Sequence, residues 1–438
     1  MKKITITFLI GIISFSVFAQ KKWTLEEAVA YAIDNNISIK QSELDLELRE
    51  IDKDDAIGRF LPSLNGNASI TSNTGANINP ATNSFENTTF LSLTTGFQSN
   101  VTLFDGLRNI RQLQRAKMQQ IASQYNLSQM KDDIALFVAN SYLQILFEKE
   151  NLKIIQDQIE ITKEQLNRTN ELVDAGVVPR GDLLEIKSTL ANDEQRIVRA
   201  ENQIKIGLIN LAQTLLIKDY ENFDIVDSDY ELPSSSILSQ SVSDIVQKAK
   251  ENRFEIKIAE QNLDIAEKDL QIARGAYYPT ISAFAGYNTR WTDNDFLDRG
   301  FIKQLYQNDG SFYGAQLQVP IFNGLGVRNN VKRSKINIER ANYQKEQAEL
   351  DLESNVYQAY TDAQGAFKAY EAAIIAEEAQ EQAYDYSKER FEVGIINSFE
   401  FSQALLRYEN TQSEAIRAKY DYIFKLKLLE LYFGISLY

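Results

Sequence analysis

The sequence predicts a mostly α-helical protein with a β-barrel portion, built from long antiparallel coiled-coil hairpins and four strands of the kind that cross a membrane. Three observations carry this prediction. All six prolines, Pro62, Pro80, Pro179, Pro233, Pro279 and Pro320, stand at candidate breaks. Since proline removes a backbone donor and clashes inside a helix, the stretches between breaks are free to be long helices. Two segments alternate apolar and small polar residues almost without charge, which is strand periodicity. Finally, the chain holds the same programme twice. The turn Asp174-Ala175-Gly176-Val177-Val178-Pro179 recurs as Glu392-Val393-Gly394-Ile395-Ile396-Asn397, and the same offset, to within a residue, relates features far from it.

The chain opens with Lys2 and Lys3, the apolar run Ile4 to Phe18 and a small-residue site at Val17-Phe18-Ala19, the pattern of an export signal over residues 1–19. The run is too short for a spanning helix, which takes roughly 20 apolar residues. No Cys follows, so a lipidated amino terminus is not expected.

The first repeat occupies residues 20–217. Thr24 and Glu27 fit a capping box that opens a short helix to about Asn35. A second helix runs from Ile37 to Gly58, until Phe60-Leu61-Pro62 stops it. Between Ser63 and Leu103 the one charged residue is Glu86. Leu91, Leu93, Phe97, Val101 and Leu103 alternate there with Ser92, Thr94, Gln98, Asn100 and Thr102. Leu64 to Asn73 reads as the partner strand and Thr74 to Asn87 as a long loop, giving a hairpin over about 63–104. Asp105-Gly106 ends it. Helical spacing then persists without Gly or Pro from Leu107 to Val173, roughly 100 Å at about 1.5 Å per residue. Past Gly176 a further helix reaches Leu216, so residues 107–216 form a helix pair with coiled-coil spacing.

Residues 218–241 read as a linker or equatorial segment, with Pro233 and Ser234-Ser235-Ser236. The second repeat, residues 242–438, restarts the order: a helix to Asn252, another from Phe254 to Ala276, then Pro279. Its hairpin covers about 280–322, with Ile281, Ala283, Ala285 and Tyr287 against Tyr313, Ala315, Leu317, Val319 and Ile321. The charges from Arg290 to Asp309 are confined to the connection. Asn323-Gly324 matches Asp105-Gly106, and the helix pair over 325–433 completes the repeat.

Composition excludes much chemistry. With no His and no Cys, the commonest metal ligand, general base and thiol nucleophile are missing, and no enzyme, cofactor or metal centre is expected. A formal charge of −15 argues against nucleic acid as partner. An isolated two-stranded hairpin is marginal in water, and a soluble sheet would place Lys or Glu on its exposed face. Four strands cannot close a barrel, since small ones have about eight. If these hairpins are membrane strands, several chains must share one barrel. The competing reading is a soluble periplasmic coiled-coil adaptor or scaffold.

From Trp23 to Gly434 the chain resembles the TolC family of outer-membrane efflux and secretion channels. The resemblance rests on the strand-entry residues Pro62 and Pro279, on Leu103-Phe104-Asp105-Gly106 and Ile321-Phe322-Asn323-Gly324 at strand exit, and on the tip glycines Gly176 and Gly394. It implies a homotrimer with a twelve-stranded barrel in the outer membrane of a Gram-negative bacterium and a helical tunnel projecting into the periplasm. It further implies a passive exit duct that docks a periplasmic adaptor protein linked to an inner-membrane transporter.

The resemblance also places a gate at the helix tips. Glu400 and Gln403 follow Gly394 at the family's pore-facing positions, and the same count from Gly176 gives Asp182 and Glu185. Residues three apart share a helix face, so each pair can point into one lumen, where a ring of Glu400 would select cations. One family version of the latch has Tyr and Arg where this chain has Phe391 and Ile396, so that Tyr-Asp and Arg-Asp lock is not expected. Arg180 and Arg390 are the nearby cations. Gly176, Val177, Val178, Gly394, Ile395 and Ile396 make unusually apolar turns that suit adaptor docking.

Overall fold

A computed structural model describes residues 21–79, 83–227, 236–295 and 297–435. The export signal, Pro80, and the Pro233-Ser234-Ser235 portion of the linker lie outside them. In chain order the described elements are β1 (Lys22–Trp23), α1 (Leu25–Asn35), α2 (Ile37–Gly58), β2 (Ser63–Asn79), β3 (Ser84–Phe104), α3 (Arg108–Asp174), α4 (Arg180–Thr214) and β4 (Asp224–Ile225). A 3₁₀ turn (Ile237–Ser239) leads into α5 (Val242–Asn252), α6 (Phe254–Gly275), β5 (Thr280–Thr292), α7 (Phe301–Gln307), β6 (Gly310–Gln318), α8 (Gly326–Glu392) and α9 (Ser398–Phe433). α3 and α8 are each 67 residues long. No described helix is long and apolar enough to cross a membrane.

The chain forms two compact units that cut across the repeats. One comprises residues 41–129 and 254–351, the other residues up to 40, 130–253 and 352 onward.

In the first unit all four long strands join one antiparallel sheet in the order β2-β3-β5-β6. The two repeats meet through β3 and β5, where Phe97 faces Tyr287 and Leu93 faces Trp291. Leu64, Ile70, Leu93, Phe97, Ala283, Tyr287, Tyr313 and Leu317 share one face by this register, and Asn65, Gln98, Asn100, Asn288 and Gln316 the other. Tyr313 is 89% exposed and Ile321, just beyond the sheet, 94%, so the apolar face has no cover among the described residues. The outer edges of β2 and β6 likewise have no strand partner among the described residues.

Pro62 directly precedes β2 and Pro279 directly precedes β5, where a missing N–H costs the ladder nothing. Gly106 and Gly324 follow the returning strands with φ of 72° and 61°, and each is succeeded by a leucine that also takes positive φ, Leu107 and Leu325. At Gly106 a Cβ would meet the Gly275 carbonyl at 2.2 Å, so only glycine fits.

Two sequence expectations are corrected here. The loop expected from Thr74 to Asn87 is mostly strand: β2 continues to Asn79 and β3 begins at Ser84, with Thr74 paired to Thr89 and Asn77 to Glu86. Polar side chains on both faces hid this from periodicity, but backbone pairing does not need an apolar face. Thr74 and Thr89 bond through their hydroxyls at 3.0 Å, and the Asn77 amide donates to Thr88 at 3.1 Å. The second connection contains the helix α7, and β6 ends at Gln318, ahead of Pro320, short of the expected Ile321.

The linker carries secondary structure of its own. In the other unit β4 pairs in parallel with β1, Trp23 beside Ile225. The Tyr142 hydroxyl donates to Trp23 O at 3.0 Å and to Val226 O at 3.3 Å, and Ala28, Ala32, Leu146, Leu211 and Leu215 pack below. Lys149 joins Asp224 and Asp227 at 2.5 and 2.6 Å, and Lys22 reaches both at 3.0 Å. Burial alone would raise these carboxyls, but hydrogen bonds from Lys149 and Lys22 outweigh it and hold both below the usual range. The Thr24 capping box on α1 is present as expected, Glu27 N donating to Thr24 Oγ1 at 3.2 Å.

Candidate gate at the helix tips

Both tips are built alike. α3 ends with Gly176 at φ 72°, Gly176 N donating to Val173 O at 3.0 Å and Val177 N to Leu172 O at 2.9 Å. α8 ends with Gly394 at φ 78°, Gly394 N bonding Phe391 O at 3.0 Å and Ile395 N bonding Arg390 O at 2.8 Å. This is the left-handed glycine cap that satisfies the last carbonyls of a helix. The restarts differ. Asn397 caps α9, its side chain accepting from Glu400 N at 2.8 Å, whereas Pro179 starts α4 with no side-chain cap.

Glu400 and Gln403 both lie on the exposed side of α9, opposite the buried Phe401, Ala404 and Leu405. On α4 Glu185 is exposed and Asp182 half-buried. No ion pair among the described residues involves Arg180 or Arg390. Val177 and Ile395 are exposed, while Val178 and Ile396 are half-buried, Ile396 packing on the Tyr384, Phe401 and Leu405 cluster.

What sequence reasoning missed is the contact between the two tips. Arg168 of α3 donates to the carbonyl of Glu392 at 2.8 Å and lies over the Phe391 ring, 5.4 Å from its centre. A C-terminal carbonyl carries the negative end of the helix dipole, which suits a guanidinium. Phe391 stacks on Phe401 (4.8 Å, 13°), Phe401 meets Tyr384 at 5.8 Å, and Tyr384 stacks on Tyr408 (5.3 Å, 13°). The ladder therefore binds α8 to α9 and ends under Arg168. The Tyr408 hydroxyl donates to Glu381 at 3.2 Å; burial, then that carboxylate, push the phenol up to about 12. Beside the ladder lies a cavity of about 70 Å³ between Gln165, Arg168, Lys388 and Phe391. Gln165 Nε2 and the nearby Thr169 Oγ1 are buried with no hydrogen-bond partner among the described residues. The sequence held one signal of the ladder: Tyr384 and Phe391, like Phe401 and Tyr408, are one heptad apart.

Further along the same helices Thr162 donates to Asp193 at 3.1 Å, and Arg196 pairs with Asp193 at 3.6 Å and with Glu409 at 2.9 Å. Glu409 is only 2% exposed, and burial raises the Asp193 carboxyl above its ordinary range. A buried charge needs a partner, so this network fixes the register of α3, α4 and α9.

Comparison with known proteins adds the following. The family model described as outer membrane efflux protein matches residues 29–215 and 245–434. The outer membrane protein TolC of Vibrio cholerae is 23% identical over 319 residues, 72% of this chain and 70% of that one. The pyoverdine export outer membrane protein OpmQ of Pseudomonas aeruginosa is 23% identical over 317 residues, which span 72% of this chain and 63% of OpmQ. Among solved structures, the CmeC outer membrane channel of Campylobacter jejuni superposes with a TM-score of 0.81 at 18% identity, covering 94% of this chain and 85% of CmeC.

Proposed function

The chain belongs to the outer membrane efflux protein family, and from that membership we propose how its parts work as a passive exit duct of a tripartite efflux or secretion system. The duct lies in the outer membrane of a Gram-negative cell; its family is one of transport channels rather than enzymes. One observation carries the rest of the reading: a four-stranded sheet whose two outer edges and apolar face have no cover among the described residues. Lipid leaves no water to satisfy a strand edge, so a lone sheet of this kind cannot persist in a bilayer. Three copies joined edge to edge make a twelve-stranded barrel with the apolar face against outer-membrane lipid and the amide-rich face around an aqueous lumen.

The gate is at the helix tips. In the closed state the Arg168 contact holds the second helix pair to the first, and opening breaks it. Glu400 and Gln403, with Asp182 and Glu185 on the companion helix, line the constriction. Val177, Val178, Ile395 and Ile396 around Gly176 and Gly394 form the rim on which a periplasmic adaptor docks, and the adaptor couples the duct to an inner-membrane transporter that supplies the energy.

Reconstitution in planar bilayers tests this reading. The wild type is expected to form cation-preferring channels, and Glu400→Ala to lose most of that preference while still inserting. A protein that stays in the soluble periplasmic fraction and forms no channel would restore the scaffold reading; unaltered selectivity would remove the Glu400 ring.

A further inference from the structure

Two phenyl rings stand on the polar face of the sheet. Where all four strands pair, that face is lined by Asn65, Gln98, Asn100, Asn288, Gln316 and Gln318, together with small residues. Phe284 and Phe312 are its large apolar side chains. Their placement follows from a crossed register in which Phe284 faces Gly314 and Phe312 faces Gly286. The ring centres are 6.2 Å apart, inclined at 48°. A Cβ at Gly286 would come within 2.4 Å of the Phe312 ring, and one at Gly314 within 2.8 Å of the Phe284 ring. Each ring therefore lies down over the bare backbone of the opposing glycine instead of projecting from the wall. One face of each is spent on that backbone, while the rings stay half-exposed on the side away from it.

Covering glycine is a structural role, yet it does not explain the choice of face. On the apolar face the same pair would also gain contact with lipid; on this face the rings meet the aqueous passage. We propose that Phe284 and Phe312 form an aromatic platform of two mutually inclined rings on the inner wall of the barrel, whose outward ring faces bind planar aromatic solutes by stacking as they pass. Asn100 flanks Phe284 in register and Gln316 and Asn288 lie on neighbouring positions of the same face, so amide donors and acceptors rim the rings. A flat solute can lie on the outward face of one ring and meet the inclined second ring at its edge, whereas a bulky aliphatic one makes no such stacked contact. In a trimer the platform occurs three times around one lumen, which raises the chance of recapture along the path. The inference rests on the trimeric duct reading and narrows its substrate class to solutes that contain a planar aromatic system.

Block of single-channel current in planar bilayers tests it, with ethidium as the planar probe and tetrabutylammonium as a cation that cannot stack. In the F284L/F312L variant, which keeps apolar bulk but removes the rings, half-block by ethidium should need about fivefold more dye, the scale of a lost aromatic contact. Block by tetrabutylammonium and conductance in salt should not change, and F284Y/F312Y should block like wild type. Unchanged ethidium block in the leucine variant overturns the platform. So does an equal loss for both cations, which would mean altered pore geometry. Wild-type channels that conduct but show no ethidium block also overturn it and leave the duct standing; no channel at all overturns both.

Discussion

At the residue scale the clasp at the tips turns on Arg168, whose partner is a backbone carbonyl and an aromatic face. Neither partner titrates between pH 4 and 8. A lock made of carboxylates would weaken in acid as its acceptors protonate, and salt would screen it if exposed. Here the closed state should be indifferent to acidification down to about pH 4.5 on account of this contact. Arg168→Ala removes both interactions and is expected to raise the closed-state conductance several-fold, with Arg168→Lys intermediate because an ammonium lacks the planar fork. Equal closed-state conductance in wild type and Arg168→Ala, recorded in the same bilayers, would show that the contact does not hold the gate. The family resemblance proposes Glu400 and Gln403 by counting from Gly394, but nothing in the sequence hints at Arg168. Its partner lies 224 positions away, and long-range pairing of a lone cation leaves no periodic trace.

At the scale of elements two polar clusters set stability. Arg196 serves both Asp193 and Glu409, so Arg196→Leu strands two largely buried carboxylates between α3, α4 and α9. Breaking a buried pair costs about 3–5 kcal/mol, and the partial exposure of Arg196 lowers the expected loss to about 2–3 kcal/mol. A thermal melt of the detergent-solubilised protein measures it. The second cluster is the Lys22 and Lys149 clamp on Asp224 and Asp227. Both carboxyls titrate lower in the folded state, so their contribution is complete above the ordinary carboxylate pKa of about 4 and fades as pH falls through the lowered values. Wild type minus Lys149→Met should therefore give a constant difference in melting temperature from pH 7 to 5 that shrinks below pH 4; a difference that grows in acid would reverse the sign of the linkage. Helix and strand identities were legible because α3, α8 and the hairpins repeat their apolar positions over many turns. The β1 and β4 pair was not, since two-residue strands carry no period, and the upper parts of β2 and β3 were not, since Asn77, Thr88 and Thr89 are polar on both faces. The network of Asp193, Arg196 and Glu409 was not legible, because one sequence cannot distinguish a charge facing water from one facing another helix.

At the scale of the molecule the placement of the prolines, the uncharged alternating segments and the duplication were enough to set fold class. The compact units were not foreseen: each takes parts of both repeats, because β3 pairs with β5 and the sheet cannot be divided between the halves. That pairing also leaves one free edge from each repeat, β2 and β6, which is the geometry a shared barrel requires. A chain without native cysteine allows a clean test. Single cysteines scanned along β2, each combined with one along β6, are oxidised in outer membranes and run on non-reducing gels. Covalent trimers at the pairs in register, with dimers as intermediates and no larger species, are the expected product. Monomers throughout, or a ladder that stops at dimer, would contradict a barrel built by three chains edge to edge.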